Sequence, residues 1–567
     1  MTTVNGHQTN IYVGLAGESA LVVGVEGTPL GEGGLYRLTE GDSKWVAAEN
    51  GLPADPQVRA LLVHPNNPST VFAGTQDGVY RSDDCGDTWS RTDTMSGEVW
   101  SMTAHPNDSS IMFAGYDQGR VCRSDDGGNS WRQLNTKGLV HPNITMNPTE
   151  IVKRVIGLSV DPAHPDDIYG AIEVGGLIAS RDGGETWSCI TDGHYTRMGP
   201  VDLHGVQVNA SSPGLVYIIT QLAMFRSRHR GTDWEFVPID EMFEGGSYCR
   251  DLVVAPHDPS IMYLAAGAGG GSAPAGTVDA GVLVRSTDAG ETWERLDLGE
   301  VAPARMFQIA IDRNSPDNVY CCDRDGHVYC SGDAGNNWSR TDVPVEMTRG
   351  RHVYPMVAVT VQSEALWKAT YRIGEADLEY MALGEGDLPD QMRSYQLARS
   401  GVLDNDELAE NGFAGSTAER FRTAGRISGF MREFVPTSDA TPADGLNFVG
   451  ATVVHLFENP EQVSGWMSDI FLKDFEENVG QSVGSGQQIV AVNRVQASGL
   501  YDEAVGLQVL QGGPAGLLSS TVIDFRVGRL LGVAFVGAVG EHDRTELATN
   551  LALSLERRIV QVALGSL

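Results

Sequence analysis

Short apolar runs of about five residues, separated by turn-forming clusters, occupy the first 340 positions of the chain. Residues 59–63 and 70–74, for example, flank the cluster 64–68, which contains two prolines and two asparagines. Runs of this length bounded by Pro, Asn, Asp and Gly predict β-strands joined by tight turns. The same pattern returns at residues 100–104, 156–160, 250–254 and 307–311. It predicts a series of antiparallel sheets.

An eight-residue segment ending in tryptophan closes these strand groups seven times. Five copies fit Ser-x-Asp-x-Gly-x-x-Trp, whereas the copies at 38–45 and 227–234 depart from it. A short Ser or Asp before Gly favours a hairpin corner, because the side chain bonds its own backbone and glycine supplies a positive φ. The tryptophans, 42 to 59 residues apart, are Trp45, Trp89, Trp131, Trp187, Trp234, Trp293 and Trp338. A repeat of this length with several short strands is typical of β-propeller blades.

The five regular segments resemble the Asp-box (BNR) repeat. In that family the boxes lie at hairpins between outer strands, away from the ligand face, so the resemblance implies a structural role. We therefore expect turn and packing roles, and no catalytic or calcium-binding role, for Asp84, Asp126, Asp182, Asp288, Asp333, Trp89, Trp131, Trp187, Trp293 and Trp338.

The two ends of the repeat region each carry an unpaired strand. Only one strand, 10–14, precedes the first box, and one orphan strand, 352–360, follows the seventh. Their pairing would remove two exposed sheet edges. We therefore predict an all-β seven-bladed β-propeller over residues 1–362, closed by strand 352–360.

The remaining residues predict a second domain. Residues 363–415 are polar with weak periodicity, which indicates a connector, and residues 416–567 show an α+β pattern. Apolar residues at spacings of three and four predict a helix over 459–478. Asp543 and Glu546, three residues apart, predict a capping box at the start of the last helix. The element order loosely resembles the bacterial sensor and lipoprotein ligand-binding domains found outside mycobacterial kinases. His455, on a predicted strand, is interpreted as a core histidine.

The composition of the chain disfavours some classes of binding partner. The chain has 567 residues and a formal net charge of −34, which disfavours nucleic acid and anionic membranes. It contains no run of 18 apolar residues, so no membrane span is expected. The N-terminus lacks a secretory pattern, which favours a cytoplasmic location unless a leader was trimmed. Seven cysteines without zinc spacing indicate free thiols, and no metal or cofactor is predicted.

The mouth of the propeller channel is the predicted ligand site. Aligning the inner strands on their turns places Arg59, Trp100, Ile156, His204, Arg250 and Phe307 at equivalent positions, with Arg154, Arg305 and His352 in the adjoining loops. Arginines and histidines around one funnel predict a site for a carboxylate, phosphate or sulfate. In the alternative interpretation the arginines pair with Asp202 and Asp251 and only fill the channel.

Two functions stay open at this stage. Relatives with Asp-box propellers include sialidases, xyloglucan-cleaving endoglucanases, sortilin-type receptors and a photosystem assembly factor. The sialidase Phe/Tyr-Arg-Ile-Pro segment is missing, and these endoglucanases use two propellers where this chain has one. We expect a binding or assembly protein that recognises a protein partner or a small anionic ligand. The alternative is a glycoside hydrolase or lyase acting on an anionic saccharide, with carboxylates drawn from Asp202, Asp251 or Glu98.

Neither catalytic residues nor oligomeric state can be assigned from the sequence. The glycine-rich insertion 266–281 is followed by no helix, so a flexible lid or a surface excursion is favoured over a phosphate loop.

Overall fold

The computed structural model describes residues 6–17, 31–92, 94–137, 139, 152–191, 202–221, 223–239, 247–268, 281–345, 351–410, 412–413, 415–437, 448–482, 487–513 and 516–565. Most of the insertion 266–281 lies outside these residues. The chain forms two compact units. One comprises Thr9–His64 and Ser69–Thr360, and the other comprises Met1–Gln8, Pro65–Pro68 and Val361–Leu567.

The first unit is a seven-bladed β-propeller in which each blade is a four-stranded sheet. Its strands, blade by blade, are β1 (His7–Gly17), β2 (Gly34–Thr39) and β3 (Val46–Ala47); β4 (Ala60–His64), β5 (Asn67–Thr75), β6 (Gly78–Ser82) and β7 (Ser90–Arg91); β8 (Val99–Ala104), β9 (Met112–Tyr116), β10 (Val121–Ser124) and β11 (Arg132–Gln133); β12 (Val155–Val160), β13 (Ile168–Ile172), β14 (Gly176–Ser180) and β15 (Ser188–Cys189); β16 (Leu203–Asn209), β17 (Leu215–Thr220), β18 (Met224–Ser227) and β19 (Glu235–Val237); β20 (Ser247–Val254), β21 (Met262–Ala268), β22 (Gly281–Ser286) and β23 (Glu294–Arg295); β24 (Met306–Ile311), β25 (Val319–Asp323), β26 (His327–Ser331) and β27 (Ser339–Asp342).

The ring is closed by β28 (Arg351–Gln362), which is hydrogen-bonded to β1 and becomes the innermost strand of the first blade. The hydroxyl groups of Thr9 and Thr360 lie 2.8 Å apart across this pair. The first and last strands of the repeat region thus share one sheet, which leaves neither as an exposed edge.

Blade packing explains why the middle strands are continuously apolar. Every residue of β13 and β17 is buried, because each blade packs against a neighbour on both faces. A strand covered on both faces has no polar side to alternate with its apolar side. Middle strands such as β13, Ile-Tyr-Gly-Ala-Ile, are therefore apolar throughout and do not alternate apolar with polar residues.

The Ser-x-Asp turns share one hydrogen-bond arrangement. In the sixth blade Ser286 Oγ donates to Asp288 Oδ1 over 2.8 Å and accepts from the backbone N–H of Gly290 over 2.8 Å. Asp288 then accepts from the N–H and hydroxyl of Thr292 at 2.8 and 2.6 Å. The equivalent hydrogen bonds from Thr186 hold the pKa of Asp182 at about 2. These carboxylates accept hydrogen bonds within their own turns.

The turn of the fifth blade, residues 227–234, has the same backbone hydrogen bond as the regular turns but different polar side chains. Gly231 N–H still donates to Ser227 Oγ over 2.8 Å. His229 stands where the other turns have aspartate, and its Nδ1 lies 3.0 Å from Asp233, which replaces the threonine. The serine–glycine bond is therefore the common element of the regular turns and this worn copy.

Five of these turns also receive an arginine side chain from the preceding blade. Arg81 Nη1 donates to Gly127 O over 3.0 Å, and Arg285 Nη1 donates to Ala334 O over 2.7 Å. Both acceptor residues have positive φ, at 68° and 56°. The same hydrogen bond to a turn carbonyl is donated by Arg37 to Cys85, by Arg123 to Gly183 and by Arg181 to Arg230. The arginines of the outer strands therefore link successive blades.

The second unit is built on one seven-stranded antiparallel sheet with strand order β29-β30-β31-β35-β34-β33-β32. Its strands are β29 (Tyr395–Val402), β30 (Arg426–Pro436), β31 (Phe448–Phe457), β32 (Gln488–Val495), β33 (Ala504–Gly513), β34 (Gly516–Val527) and β35 (Leu530–Val539). Its helices are α1 (Glu364–Thr370), α2 (Leu378–Met381), α3 (Asn405–Glu410), α4 (Ala418–Thr423), α5 (Pro460–Trp466), α6 (Lys473–Glu477) and α7 (Thr545–Ala563), with 3₁₀ turns at Glu375–Asp377, Glu385–Asp387 and Asp390–Met392 and a π-helical segment at Met467–Leu472.

Residues 363–415 differ from the connector that the sequence predicts. Leu366, Leu378, Met381 and Met392 are almost fully buried in the core under α7. Helices α1 and α2 and the 3₁₀ turn Asp390–Met392 bury one or two apolar residues each, a pattern too brief to register as periodicity. They nevertheless add a layer to the second unit.

Two smaller differences occur at helix ends. The alternating pattern of residues 421–434 predicts a strand over that range, but Phe421 lies in α4 and the strand begins at Arg426. The last helix begins at Thr545, and Asp543 Oδ1 accepts from Thr545 N–H over 2.9 Å in place of the predicted capping box. The apolar stripe of α7 is buried as predicted. Within the described residues, no helix combines the length and apolarity needed to span a membrane.

Replacing Ser286 with alanine tests the turn. The buried N–H of Gly290 would lose its acceptor, which costs about 1–3 kcal/mol. We expect a loss of that size in the free energy of unfolding by denaturant titration. The exposed Ser90, changed to alanine, serves as control and should leave stability within about 0.5 kcal/mol. Equal effects for the two variants would contradict the assigned role.

A buried acid in α7 makes the second unit sensitive to pH. Glu556 is 2% exposed, and burial raises its pKa to about 8. Between its ordinary value of 4.5 and about 8, only the unfolded chain releases this proton, so stability falls as pH rises. We expect Glu556→Gln to match the wild type near pH 4 and to exceed it at pH 8 by on the order of 4 kcal/mol. Thermal melts from pH 4 to pH 8 measure the difference in stability between Glu556→Gln and the wild type, with the exposed Glu379→Gln as control. A difference that does not change with pH would contradict the raised pKa of Glu556.

Candidate functional site

A β-bulge recurs at one position of the innermost strands. The strand register shifts on passing five residues, each in a different blade: Trp100, Ile156, His204, Arg250 and Phe307. A bulge inserts one extra residue and redirects its side chain. The residues that the sequence alignment placed at equivalent positions are therefore also equivalent in local backbone geometry.

These bulges surround a cavity of about 220 Å³ on the propeller axis. All seven inner strands or their leading residues contribute to its wall, through Arg59, Trp100, Ile156, His204, Arg250, Gln308 and Tyr354 among others. A closed ring of strands converging on one space is what a propeller channel provides.

Arginines and aromatic rings alternate along one side of the cavity. The Arg154 guanidinium lies 4.5 Å from the centre of the Trp100 ring, and that of Arg59 lies 4.8 Å from it. Arg59 also lies 5.5 Å from the ring of Tyr354. These distances are within the range of cation–π attraction.

The other side repeats the alternation. Arg250 lies 4.8 Å from the ring of Phe307, and Arg305 lies 4.6 Å from that of Tyr248. The His204 ring is 4.7 Å from Tyr248, and its Nδ1 lies 2.8 Å from the carbonyl of Cys249. Burial, helped by the charge of Arg250, lowers the pKa of His204 to about 3, so this imidazole is neutral.

His352 joins the two sides. Its ring lies 6.5 Å from Phe307 and 6.3 Å from Tyr354, and Arg324 Nε donates to its Nδ1 over 3.1 Å. Of the nine residues that the sequence places at the channel mouth, five line the cavity: Arg59, Trp100, Ile156, His204 and Arg250. The other four, Arg154, Arg305, Phe307 and His352, contact aromatic or arginine side chains around it. Sequence reasoning missed Tyr248 and Tyr354, although Tyr354 lies in the predicted closing strand.

Two of the arginines have protein carboxylates beside them. Arg154 Nη1 lies 3.0 Å from Glu173 Oε2, whereas Arg59 Nη2 is 3.9 Å from Glu98 Oε1. Trp100 Nε1 donates to the other oxygen of Glu98 over 3.1 Å. Arg250 forms no ion pair within the described part of the chain, and its Nε has no hydrogen-bond partner there. The arginines are therefore only partly neutralised.

Two aspartates near the channel hold their protons more tightly than usual. Burial, followed by the negative charge of Glu173, raises the pKa of Asp202 to about 6. Burial also raises the pKa of Asp251 to about 7, although Asp251 accepts a hydrogen bond from Ile309 N–H over 2.8 Å. In the described part of the chain neither aspartate forms an ion pair with Arg250, although the charge of Arg250 acts to lower the pKa of both.

The loop between β13 and β14 positions the groups around Asp202. Val174 has φ 51°, a left-handed conformation that β-branched residues rarely adopt. Its N–H donates to Asp202, and the adjacent Glu173 accepts from Arg154. Strain of this kind costs about 1–3 kcal/mol and persists where surrounding contacts impose it.

The fold and this site define a seven-bladed β-propeller with a charged, aromatic channel mouth. No family model matches the chain. It is 25% identical over 328 residues to xyloglucanase Xgh74A of Acetivibrio thermocellus, an alignment covering 49% of this chain and 37% of that protein. The oligoxyloglucan-reducing end-specific xyloglucanase of Emericella nidulans is 22% identical over 331 residues, covering 50% of this chain and 40% of that protein. The chain thus spans about two fifths of the length of these relatives.

Solved structures resemble the fold more distantly. The GH74 enzyme of Niastella koreensis matches with a TM-score of 0.40 and 17% identity over 50% of this chain and 45% of that chain. YCF48 bound to a D1 peptide matches with a TM-score of 0.36 and 16% identity over 56% and 88% of the respective chains. These likenesses concern the architecture alone.

Replacing Val174 with glycine tests the strained loop. Glycine adopts positive φ without steric cost, so we expect the free energy of unfolding to rise by about 1 kcal/mol after its own entropy cost. Denaturant titration measures this. The exposed Val301, which lacks positive φ, provides the control: Val301→Gly should not stabilise. A destabilised Val174→Gly protein would show that the loop stores no strain.

Proposed function

We propose that the propeller is a glycoside hydrolase that binds an anionic saccharide at its channel mouth. One observation carries the proposal: Asp202 keeps its proton up to pH about 6 beside Glu173, whose charge contributes to that shift. A carboxylic acid with a raised pKa beside a second carboxyl group is what acid and base catalysis of glycoside cleavage requires.

Recognition rests on the alternating ring of arginines and aromatic side chains. Arginine forks bind carboxylates through paired charge-assisted hydrogen bonds, and ring faces such as Trp100 and Tyr354 supply apolar surface for a sugar. Arg250 is assigned to the saccharide carboxylate, because within the described residues it has no ion-pair partner. In a protein of net charge −34, these arginines form a local positive focus that attracts an anionic ligand.

Cleavage follows from the two acids. Asp202 donates its proton to the glycosidic oxygen as the bond to the anomeric carbon breaks. A water molecule attacks that carbon and gives a proton to Glu173, so the products are two hydroxyl-terminated saccharides. Glu98 and Asp251 are assigned no step in this mechanism.

The curated relatives support saccharide chemistry, since both are named as xyloglucanases. Their names describe neutral glucans, whereas the arginines of this channel favour acidic ones. Because the chain spans only part of each relative, the activity is proposed here on the channel geometry.

The experiment compares acidic oligosaccharides (oligogalacturonides) with neutral xyloglucan oligosaccharides. We expect release of reducing ends from the acidic set, with a rate that falls as pH rises above about 6 and Asp202 loses its proton. Asp202→Asn should lower kcat by about 10²–10⁴-fold while leaving binding intact. Arg250→Ala should weaken binding of acidic sugars only, and Arg295→Ala, on the exposed strand β23, should change nothing.

The outcomes separate the two functions left open by the sequence. Binding of acidic sugars that depends on Arg250, without release of reducing ends, would establish a recognition protein and reject the hydrolase. Failure of every saccharide to bind by calorimetry would remove the channel mouth as a saccharide site.

A further inference from the structure

A second cavity lies entirely within the C-terminal unit and is unrelated to the channel. It measures about 360 Å³ and is walled by helices α3, α4 and α5, the π-helical segment, α6 and strand β33. Its apolar lining is mainly aromatic: Phe413, Phe421, Trp466, Ile470, Phe471 and Phe475. A volume of this size is that of a small-molecule site.

The π-helical segment Met467–Leu472 gives the cavity its wall. In an uninterrupted α-helix, side chains nine residues apart point in roughly opposite directions, since each residue turns about 100°. Trp466 and Phe475 nevertheless both line the cavity. The wider π turn changes the helical phase between them, and such turns are frequent at functional sites.

Contacts between the rings fix the shape of the wall. Phe421 lies 5.1 Å from Trp466, and Phe475 lies 4.9 Å from Phe413 and 5.5 Å from Phe471, the last two edge to face. Trp466 and Phe471 are less than a tenth exposed. Packed aromatic rings hold few rotamers, so the wall offers fixed, flat apolar surfaces.

The polar groups of the lining favour an uncharged ligand. Arg420 donates from both terminal nitrogens to the two oxygens of Asp474, at 2.7 and 2.8 Å. This bidentate pair cancels the charge of the one ionised group in the lining. A charged ligand would enter without a counter-ion from the lining, which is costly in an apolar cavity. The Gln511 amide, with a donor and an acceptor, serves one polar group of the ligand.

We propose that this cavity binds a planar, uncharged, largely apolar small molecule carrying a single hydrogen-bonding group. The aromatic wall stacks against the plane of the ligand, and Gln511 orients its polar group. The site makes the C-terminal unit a ligand-binding module independent of the propeller function.

The probe is N-phenyl-1-naphthylamine, a neutral planar amine whose fluorescence rises in apolar sites. The full chain should give saturable enhancement of about tenfold or more. Ile470→Trp fills the cavity and should weaken binding at least tenfold at an unchanged melting temperature. Val490→Trp places the same side chain on the exposed edge strand β32 and should bind the probe like the wild type.

Absence of saturable binding to the wild-type chain, or equal binding by Ile470→Trp, would overturn the proposal. If Ile470→Trp fails to fold by circular dichroism, Leu408→Trp fills the cavity from α3 and is judged by the same criterion. Enhancement that appears only as the chain self-associates, followed by light scattering, would identify a contact between copies and would also reject the small-molecule site.

Discussion

Successive blades of the propeller are tied together through a residue held in the left-handed conformation. The serine hydroxyl of each turn accepts the glycine N–H, and the neighbouring residue is left with its carbonyl facing the previous blade. An arginine from that blade then donates to the carbonyl, as Arg285 does to Ala334. Because this contact recurs at five junctions between blades, an eight-residue local motif stabilises an assembly of several hundred residues.

The closed ring in turn creates the channel. Closure by β28 brings seven inner strands to one axis, and the bulges at Trp100, His204 and Arg250 direct large side chains into it. The turns with their aspartates lie on outer strands, so the carboxylates most visible in the sequence take no part in the site. The acids assigned to the proposed cleavage, Asp202 and Glu173, lie outside the regular turns, and Asp202 accepts a hydrogen bond from the strained Val174.

The two units show different solutions to burying aromatic residues. In the propeller they pair with arginines around a polar channel, whereas in the C-terminal unit they pack on one another beside a neutralised ion pair. The first arrangement suits a charged ligand and the second an uncharged one. The two proposed sites therefore differ in polarity.

Much of the architecture is readable from the sequence because turn chemistry is local. Ser286, Asp288 and Gly290 satisfy one another within five residues, so their spacing determined the number of blades and the position of the inner strands. Which side chains meet at the channel depended on ring closure and strand bulges, which joined Tyr354 to Arg59 across nearly 300 residues. The folding of residues 363–415 into the C-terminal core, and the phase change at Met467–Leu472, were likewise decided by tertiary packing, since neither leaves a periodic signal in the chain.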